Sequence, residues 1–417
     1  MKMKKLVVTM FAAGVVTSPL VYATDGYFSD GYGMKSKGMG GVGIALPQDS
    51  LAAANNPAGM VMVGNRMDVG VDLFQPSRSA DITAPNPGAG TYGGNDRGLF
   101  LIPEFGYNKM IDPDKSLGVS VYGNGGMNTS YSGSPAPFGY PNEGINLQQL
   151  FIAPTFAMKI NDSNAIGVSL NLVYQTFSAT GLQAFGPGPG NMNVSGNGAA
   201  LTNNGTDSST GVGMRIGWTG QVSETVTLGA TYAPKTHMSN FNKYAGLFAG
   251  QGNFDIPGSY GAGIAVKATD ATIVSVDYKV IQYSGVPSIA NTISAGGPLG
   301  AANGMGFGWQ DVKVIKLGVS HALSDTFTVR AGYSHNTQPI PASQTMFNIL
   351  APGIVQDHVT LGTTWDVTKT NQLTLAYMHA FQQNVNGVNS IPAQFGGGNA
   401  NLHMYEDSLG IAYSWKL

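Results

Sequence analysis

The sequence predicts an all-β membrane protein, a 14-stranded antiparallel transmembrane β-barrel. Three observations predict it. From Arg66 to the last residue, runs of about ten residues alternate between polar and apolar side chains. Short and long connections alternate between these runs. Charged residues make up only 11% of the chain and the net charge is -2, so we expect lipid to cover part of a surface that is too weakly charged for water alone.

The N-terminus has the pattern of a signal peptide. Early lysines precede an apolar core over about 6–16, and VYA at 21–23 has the small-x-small pattern of a cleavage site. We therefore expect residues 1–23 to be removed on export. No later apolar run reaches the roughly 20 residues of a spanning helix. A closed barrel is the other structure that satisfies its backbone in lipid, which predicts a multi-pass protein of the bacterial outer membrane.

Fourteen alternating runs are predicted as strands. Tight turns such as NDS and LSD alternate with long loops rich in Gly, Pro and Asn. Short turns are typical of the periplasmic side and long loops of the outside. The predicted strands are 66–75, 98–109, 116–122, 148–160, 165–177, 210–222, 225–233, 257–267, 271–282, 311–321, 326–335, 358–366, 371–381 and 406–417.

The alternation assigns the two faces of each strand. In VGMRIGW, Met214 and Ile216 share one face while Arg215 points the other way. An arginine on the lipid face at the bilayer midplane costs about 2 to 4 kcal/mol, so the Arg215 face is predicted to line the lumen. The same reasoning places Asp277 and Lys279 in the lumen.

The segment before the first strand resembles a known family. The stretch GYFSDGYGMKSKGMGGVGIALPQDSLAAANNPAGM is similar to the N-terminal hatch of the FadL-type outer-membrane transporters, which carry long-chain fatty acids or aromatic hydrocarbons. The strongest match is Asn56-Pro57-Ala58, and similarity continues through APTFAMKI, DIPGSYGAGIAV, LSDTFTVRAGYSHNTQPIP and QDHVTLGTTW. The resemblance implies a hatch over 24–65 inside the lumen of a barrel over 66–417.

The resemblance also implies an opening in the barrel wall beside a kinked third strand, where the Asn-Pro-Ala motif would meet it. Two features fit this expectation. Gly123, Gly125 and Gly126 interrupt the third run, and glycine weakens strand pairing; Pro154 interrupts the fourth run and lacks a backbone donor. In the alternative interpretation, the glycines simply begin a loop and Pro154 lies at a bulge.

Apolar residues in two long loops are candidates for ligand capture. In the family, the third and fourth extracellular loops form a hydrophobic groove. The fourth long loop carries an apolar stripe at helical spacing, and an apolar stripe of this length also suits a cap over the barrel mouth. The candidates are Leu182, Phe185 and Met192 in the third loop and Phe241, Tyr244, Leu247 and Phe248 in the fourth.

Inside the lumen, Lys316 and Arg330 have inward parity on neighbouring strands. A carboxylate that leaves water needs a cation or several donors, so both are candidate ligand contacts, with Arg215 as a weaker third. The alternative is a lumen charge that is solvated or paired with an aspartate. Tyr27 or Phe28 resembles the family's N-terminal aromatic residue, which touches bound ligand; packing within the hatch is the alternative.

The expected function is passive uptake of hydrophobic molecules, most specifically long-chain fatty acids, with capture at the loops, binding in the barrel and lateral release. The alternatives are aromatic hydrocarbon uptake, a porin-like channel for small polar solutes, and a surface adhesin or assembly factor. One departure from the family is VIQYSG, with Tyr283 where relatives often carry Trp. Expected partners are the hydrophobic ligand, outer-membrane lipids with lipopolysaccharide, and the barrel assembly machinery; we expect a monomer and no nucleic acid.

Nothing in the sequence predicts a cofactor, a metal site or an enzyme. The chain has no cysteine, and its six histidines are scattered at no ligand spacing. GMGGVG at 38–43 follows no strand and opens no long helix, which argues against a phosphate loop. Ser320 and His321 are adjacent and so point to opposite faces, which argues against a nucleophile and base.

Overall fold

The computed structural model describes residues 24–133 and 137–417. The predicted signal peptide, 1–23, lies outside the described residues. Among those residues, no helix has both the length and the hydrophobicity of a membrane span. The short helices are α1 Met34–Lys37, α2 Ala249–Gly252, α3 Pro287–Ala290 and α4 Thr345–Asn348. Single 3₁₀ turns span Ala52–Ala54, Pro57–Met62, Gln183–Phe185, Gly198–Ala200, Asn242–Tyr244, Tyr283–Gly285, Ala342–Gln344 and Ala393–Phe395.

Within the described ranges, fourteen antiparallel strands form one closed barrel, and a fifteenth short strand, β2, extends from β1 in the first loop. Closure is by β15 on β1, in register from Arg66 opposite Lys416 to Ile82 opposite Ala400. The predicted fold class is confirmed. The strands are β1 Arg66–Ile82, β2 Gly90–Gly93, β3 Phe100–Asp112, β4 Lys115–Tyr131, β5 Glu143–Asn161, β6 Asn164–Thr180, β7 Asp207–Gln221, β8 Val226–Ala233, β9 Ser259–Lys267, β10 Thr272–Ile281, β11 Val312–Ser324, β12 Phe327–Asn336, β13 Asp357–Asp366, β14 Asn371–Val385 and β15 Ala400–Lys416.

Seven long loops leave the end of the barrel opposite the tight turns. We name them L1 to L7; they span 83–99, 132–142, 181–206, 234–258, 282–311, 337–356 and 386–399. Several strands run further toward this end than the alternating pattern predicted, most clearly β4, which continues to Tyr131 instead of ending at 122. Beyond the lipid-facing band the apolar alternation stops, but the backbone hydrogen bonds between the strands continue without it.

The side chains sort by face as predicted. On β7, Val212, Met214 and Ile216 are exposed to the outside, whereas Arg215 is buried toward the lumen. On β10, Tyr278 is exposed and Asp277 is buried. Apolar side chains on the outside with charges inside are the arrangement that a lipid-embedded barrel requires.

Residues 24–65 lie inside the barrel and bind strands on every side of it. Backbone amides of this segment donate to carboxylates of the wall: Gly33 and Met34 to Glu104 on β3 (both 3.1 Å), and Gly43 and Ile44 to Asp277 on β10 (2.7 and 2.9 Å). Inward acids therefore satisfy backbone donors that the irregular segment cannot pair itself. We call residues 24–65 the N-terminal segment; its role as a mobile hatch stays a prediction.

The glycine-rich run 38–43 packs against the wall. A Cβ on Gly332 of β12 would overlap the backbone of Gly40, and one on Gly362 of β13 would lie 2.9 Å from the Cα of Gly38. Gly40 itself has φ +69, a conformation that glycine adopts without strain. Close backbone approach accounts for this run of glycines.

Candidate functional site

A continuous series of aromatic rings runs from the extracellular loops into the barrel. It begins at Phe177 of β6, whose ring lies 4.8 Å from Tyr244 and 4.6 Å from Phe248, both in L4. Phe248 is 4.9 Å from Phe254, and Phe254 is 6.1 Å from Tyr27 of the N-terminal segment. All of these separations are centroid distances in or near the range of favourable ring pairs. The series thus joins the loops to the start of the N-terminal segment.

Tyr27 lies at the inner end of this series. Its ring is 5.3 Å from Phe28, 5.2 Å from Tyr283 and 6.0 Å from Trp309. The Tyr283 hydroxyl donates to the carbonyl of Asp25 at 2.6 Å and accepts from the amide of Tyr27 at 3.1 Å. Tyr283, the residue that departs from the family pattern, therefore anchors the N-terminal segment. We call Tyr27, Phe28, Tyr283 and Trp309 the inner aromatic cluster.

The predicted capture residues come together, but in a nearly closed cleft. Leu182, Phe185, Leu247 and Phe248 line it, and Phe241 packs behind them 5.7 Å from Phe177. Its free volume is about 30 Å³, far below the range of small-molecule sites. L5 and L6 also contribute, through Leu299, Met305, Phe307, Phe347 and Leu350. We call this the inner cleft; its capture role stays a prediction.

The structure brings Tyr27 and Phe28 against the glycines of the third barrel strand, β4. Pairing between β3 and β4 ends at Phe105 opposite Val121, although β4 stays paired with β5 as far as Tyr131, across a bulge between Gly123 and Gly125. The alternative that these glycines begin a loop is wrong. Beyond Val121, the edge of β4 that faces β3 is free of that strand, and this opens the wall between them.

The N-terminal segment occupies that free edge. Ser29 donates its amide to the Asn124 carbonyl, and Gly126 donates to the Tyr27 carbonyl, both at 3.0 Å. A Cβ on Gly125 would overlap the Tyr27 carbonyl oxygen, so only glycine permits this approach. Further along the edge, the buried Arg78 guanidinium donates to the Asn128 carbonyl at 2.9 Å.

Pro154 is not part of this opening. It lies on β5, opposite Val119 of β4. On its other side, the β5–β6 ladder lacks the pairs at Ala153 and Pro154, but the register is the same before and after. The prediction of a gap here was therefore wrong, and so was the bulge, because a single proline removes one donor without shifting the strand.

The Asn-Pro-Ala turn also lies elsewhere than the resemblance implied. Asn56 donates to the Trp218 carbonyl of β7 at 2.9 Å and to the Ile44 carbonyl at 2.7 Å, and accepts from the Ala58 amide at 3.1 Å. Pro57 and Ala58 press on Gly167 of β6, where a Cβ would overlap them. The motif caps a 3₁₀ turn against β6 and β7 rather than meeting the opening beside β4, since its polar groups are satisfied there.

Lys316 pairs with two acids of the N-terminal segment. Its ammonium lies 2.8 Å from the Asp30 carboxylate and 3.2 Å from that of Asp25, and all three groups are buried. Burial raises the pKa of Asp25, against the effect of the nearby Lys316 charge. Burial would also raise the pKa of Asp30, but the Lys316 charge and hydrogen bonds from Lys316 and Ser334 hold it below its usual value.

Arg330 is occupied as well, through Gln48 of the N-terminal segment (3.1 Å) and Thr364 (2.7 Å). In this arrangement neither Lys316 nor Arg330 faces an open ligand site. Their roles as ligand contacts stay predictions, and the alternative of an aspartate-paired lumen charge describes Lys316 as it stands.

Two other lumen cations have no carboxylate partner among the described residues. Arg215 is buried, with one long hydrogen bond of 3.4 Å to Thr231, and its Nε atom has no partner. Lys279 makes no ion pair; its ammonium lies 5.4 Å from the centroid of the Phe28 ring and 6.0 Å from that of Tyr32.

These two cations share one part of the wall. Thr231 is directly opposite Gly261, and Gly261 is directly opposite Lys279, so Thr231 and Lys279 are two strand spacings, about 10 Å, apart. The intervening Gly261 has no side chain of its own, and the side chain of Ile44 from the N-terminal segment packs over it. Positive charge without a partner therefore borders the inner aromatic cluster at Phe28.

Sequence reasoning missed several residues of this site. Phe254 and Trp309 are single aromatic residues in long loops, where no periodicity marks them. Lys279 was placed in the lumen but was not proposed as a ligand contact.

A model of the family described as "Outer membrane protein transport protein (OMPP1/FadL/TodX)" matches residues 29–397. No curated protein sequence matches.

Solved structures share the fold at low sequence identity. The toluene transporter TodX of P. putida aligns with a TM-score of 0.68 at 19% identity, covering 93% of this chain and 99% of TodX. The toluene transporter TbuX of Ralstonia pickettii gives 0.65 at 18%, covering 93% and 98%. A Pseudomonas aeruginosa FadL homologue gives 0.69 at 15%, covering 94% and 99%.

Proposed function

The chain belongs to the OMPP1/FadL/TodX family of outer membrane transport proteins, and within that family we propose that it takes up long-chain fatty acids. As a family member it is an outer-membrane barrel that transports hydrophobic compounds. The observation that carries the finer proposal is a pair of lumen cations without a carboxylate partner in the described part of the chain, Arg215 and Lys279, of which Lys279 lies beside Phe28 of the inner aromatic cluster.

The site suits both parts of a fatty acid. Each methylene removed from water contributes about 0.8 kcal/mol, so the apolar inner cleft and the ring series favour the acyl chain without any energy source. A carboxylate away from water needs charged donors. Arg215, whose Nε atom has no partner among the described residues, and Lys279, which makes no ion pair with any of them, are two lumen cations able to supply them. Transport by this route is passive and includes no catalytic step.

Release is proposed to be lateral, through the opening between β3 and β4. Tyr27 and Ser29 cover the free edge of β4 by two backbone hydrogen bonds, and Lys316 holds the same stretch through Asp25 and Asp30. Movement of residues 24–30 would uncover the edge and let an apolar molecule pass sideways into the membrane. The N-terminal segment is in this proposal a mobile hatch.

Uptake of aromatic hydrocarbons is the second candidate. Two of the similar structures are named as toluene transporters, and the ring series here would accept a flat apolar molecule along its edges and faces. A neutral hydrocarbon makes no use of Arg215 or Lys279, and this separates the two candidates. A porin-like path for polar solutes is not favoured, because residues 24–65 fill the lumen with buried side chains.

Identification of the bound ligand tests the proposal. The mature barrel would be purified in detergent and its co-purifying hydrophobic molecules determined by mass spectrometry, followed by competition with a 16-carbon fatty acid, its methyl ester and toluene. Displacement by the acid well below the concentrations of ester and toluene supports fatty-acid transport. Equal displacement by the ester, or a preference for toluene, would support hydrocarbon transport instead.

A further inference from the structure

A second and much larger cavity lies at the extracellular mouth, outside the inner cleft. L1, L2, L3, L6 and L7 enclose about 480 Å³ of free volume, within the size range of small-molecule sites. Its apolar lining includes Ile82, Tyr92, Phe138, Met192, Ile391 and Phe395. We call this cavity the vestibule. L4, which supplies Leu247 and Phe248 to the inner cleft, is absent from the described lining of the vestibule.

The polar side chains around the vestibule are already used within the loops. Asn86 donates to the carbonyls of Phe395 and Gly397 at 3.0 and 2.9 Å. Asn191 accepts from the Tyr140 hydroxyl at 2.8 Å and donates to the Gln183 carbonyl at 3.0 Å. These bonds tie the loops to one another and hold the cavity open. None of the described residues of its lining is charged, so the surface left for a ligand is neutral, and more of it is apolar than polar.

One short stretch of L6 separates the vestibule from the inner cleft. Met346 and Ile349 line the vestibule, whereas Phe347 and Leu350 line the inner cleft. The two cavities also meet through Phe185, whose ring is 4.8 Å from Phe138 and 5.4 Å from Phe347. A molecule in the vestibule is therefore one side-chain layer away from the ring series that leads to Tyr27.

We propose that the vestibule, and not the L3–L4 groove, is the first binding site, and that it takes the hydrocarbon chain of a long-chain acyl compound whatever the charge of its head group. The inference rests on the proposed uptake of hydrophobic chains. The occupant follows from the volume of the vestibule, its uncharged and mainly apolar lining, and its continuity with the inner cleft. Discrimination between acid and neutral ester then occurs only deeper, at Arg215 and Lys279.

Two filling variants test the proposal. Ala89→Trp in L1 and Gln394→Trp in L7 each place an indole at the vestibule from an exposed position of its lining. Initial uptake rates of a 16-carbon fatty acid and of its methyl ester should both fall at least fivefold. The control is Val388→Trp, an exposed L7 position that does not line the cavity, and it should leave both rates unchanged. Undiminished uptake by both filling variants, at equal amounts of folded barrel, overturns the proposal.

A binding measurement makes the result independent of transport. Because the chain has no cysteine, Met192→Cys gives a single thiol in the vestibule. The 16-carbon methyl ester should slow its reaction with a water-soluble maleimide several-fold, while a cysteine at Val388 reacts at an unchanged rate. Absence of protection at 192 overturns the vestibule site even if uptake occurs. If the ester protects the thiol at 192 but the wild type takes up neither compound, the vestibule site stands and the proposed function is contradicted.

Discussion

The amide of Gly126 donates a hydrogen bond to the carbonyl of Tyr27 at 3.0 Å, at the point where β4 has separated from β3. A strand of the wall and the start of the N-terminal segment thus form a short ladder in place of the one that the wall lacks. This ladder covers the opening, and the aromatic series from the loops ends at the same residue.

Replacing Gly125 by Ala should displace the N-terminal segment from β4, because the added methyl group overlaps the Tyr27 carbonyl oxygen. Overpacking of this kind costs about 1 to 3 kcal/mol. We expect faster amide hydrogen exchange at residues 25–30 with the barrel intact. Gly93→Ala is the control, since a Cβ there has no atom within 4 Å. Unchanged exchange at residues 25–30 would show that the close approach is not important.

Lys316→Met should loosen the same stretch more strongly. It leaves Asp25 and Asp30 buried without their cation, and removing one partner of a buried pair costs about 3 to 5 kcal/mol. The expected result is loss of exchange protection at 25–30, largely recovered when Asp30→Asn is added. Lys115→Met, which removes an exposed ion pair with Asp112, should change stability by less than about 1 kcal/mol. Equal effects of the two single variants would contradict this.

Binding of the N-terminal segment should strengthen as pH rises from 7 to 8.5. Burial lowers the pKa of Lys35 to about 7, whereas in the detached segment this lysine keeps its ordinary, higher pKa. Between pH 7 and 8.5 the detached segment therefore binds more protons than the bound one, so a rise in pH favours the bound segment. The gain is about 1 to 2 kcal/mol. The carboxylate of Asp49, whose pKa burial raises to about 6, is ionised throughout the window.

The charged groups that act on Lys35 are Arg66, Asp49, Asp68 and Arg330, and its ammonium donates to Gln372 at 2.7 Å. Hydrogen exchange at residues 33–37, corrected for its intrinsic pH dependence, measures the effect. In Lys35→Met the pH dependence should disappear. A dependence that persists in this variant would assign it to another group.

Phe254→Leu should weaken ligand binding, because Phe254 is the link between Phe248 of L4 and Tyr27. Leucine keeps much of the buried volume, so the stability cost stays near that of a conservative core change, below about 1.5 kcal/mol. We expect at least a fivefold loss of affinity for the 16-carbon acid. Phe381→Leu, on the exposed outer face of β14, provides the matched control and should bind normally.

Strand parity and the alternation of turn lengths were sufficient to predict the barrel, because both follow from local physics: lipid outside, polar groups inside, and a period of two residues. Parity also placed Arg215, Lys316 and Arg330 in the lumen correctly. It could not tell which cation meets an acid. The partner of Lys316 is Asp30, 286 residues away, in a segment with no regular pattern.

The wall opening, too, could be predicted only in part from the sequence. Glycines at 123, 125 and 126 marked a weak point in β4, and that much is readable from the sequence. The position of the Asn-Pro-Ala turn on β6 and β7 depends on the glycines at 167 and 217, which lie on strands more than a hundred residues away. Phe254 and Trp309 carry no local signal at all, since their roles depend on how L4 and L5 fold over the lumen.

The most direct test of the account is the affinity ratio between a 16-carbon fatty acid and its methyl ester, measured by titration for the wild type and for an Arg215→Met, Lys279→Met double variant. Lys313→Met, an exposed lysine on the outer face, is the control. The account predicts that the wild type and the control prefer the acid by at least tenfold and that the double variant binds both alike. An acid preference that survives in the double variant, or a wild type that never shows one, would contradict it.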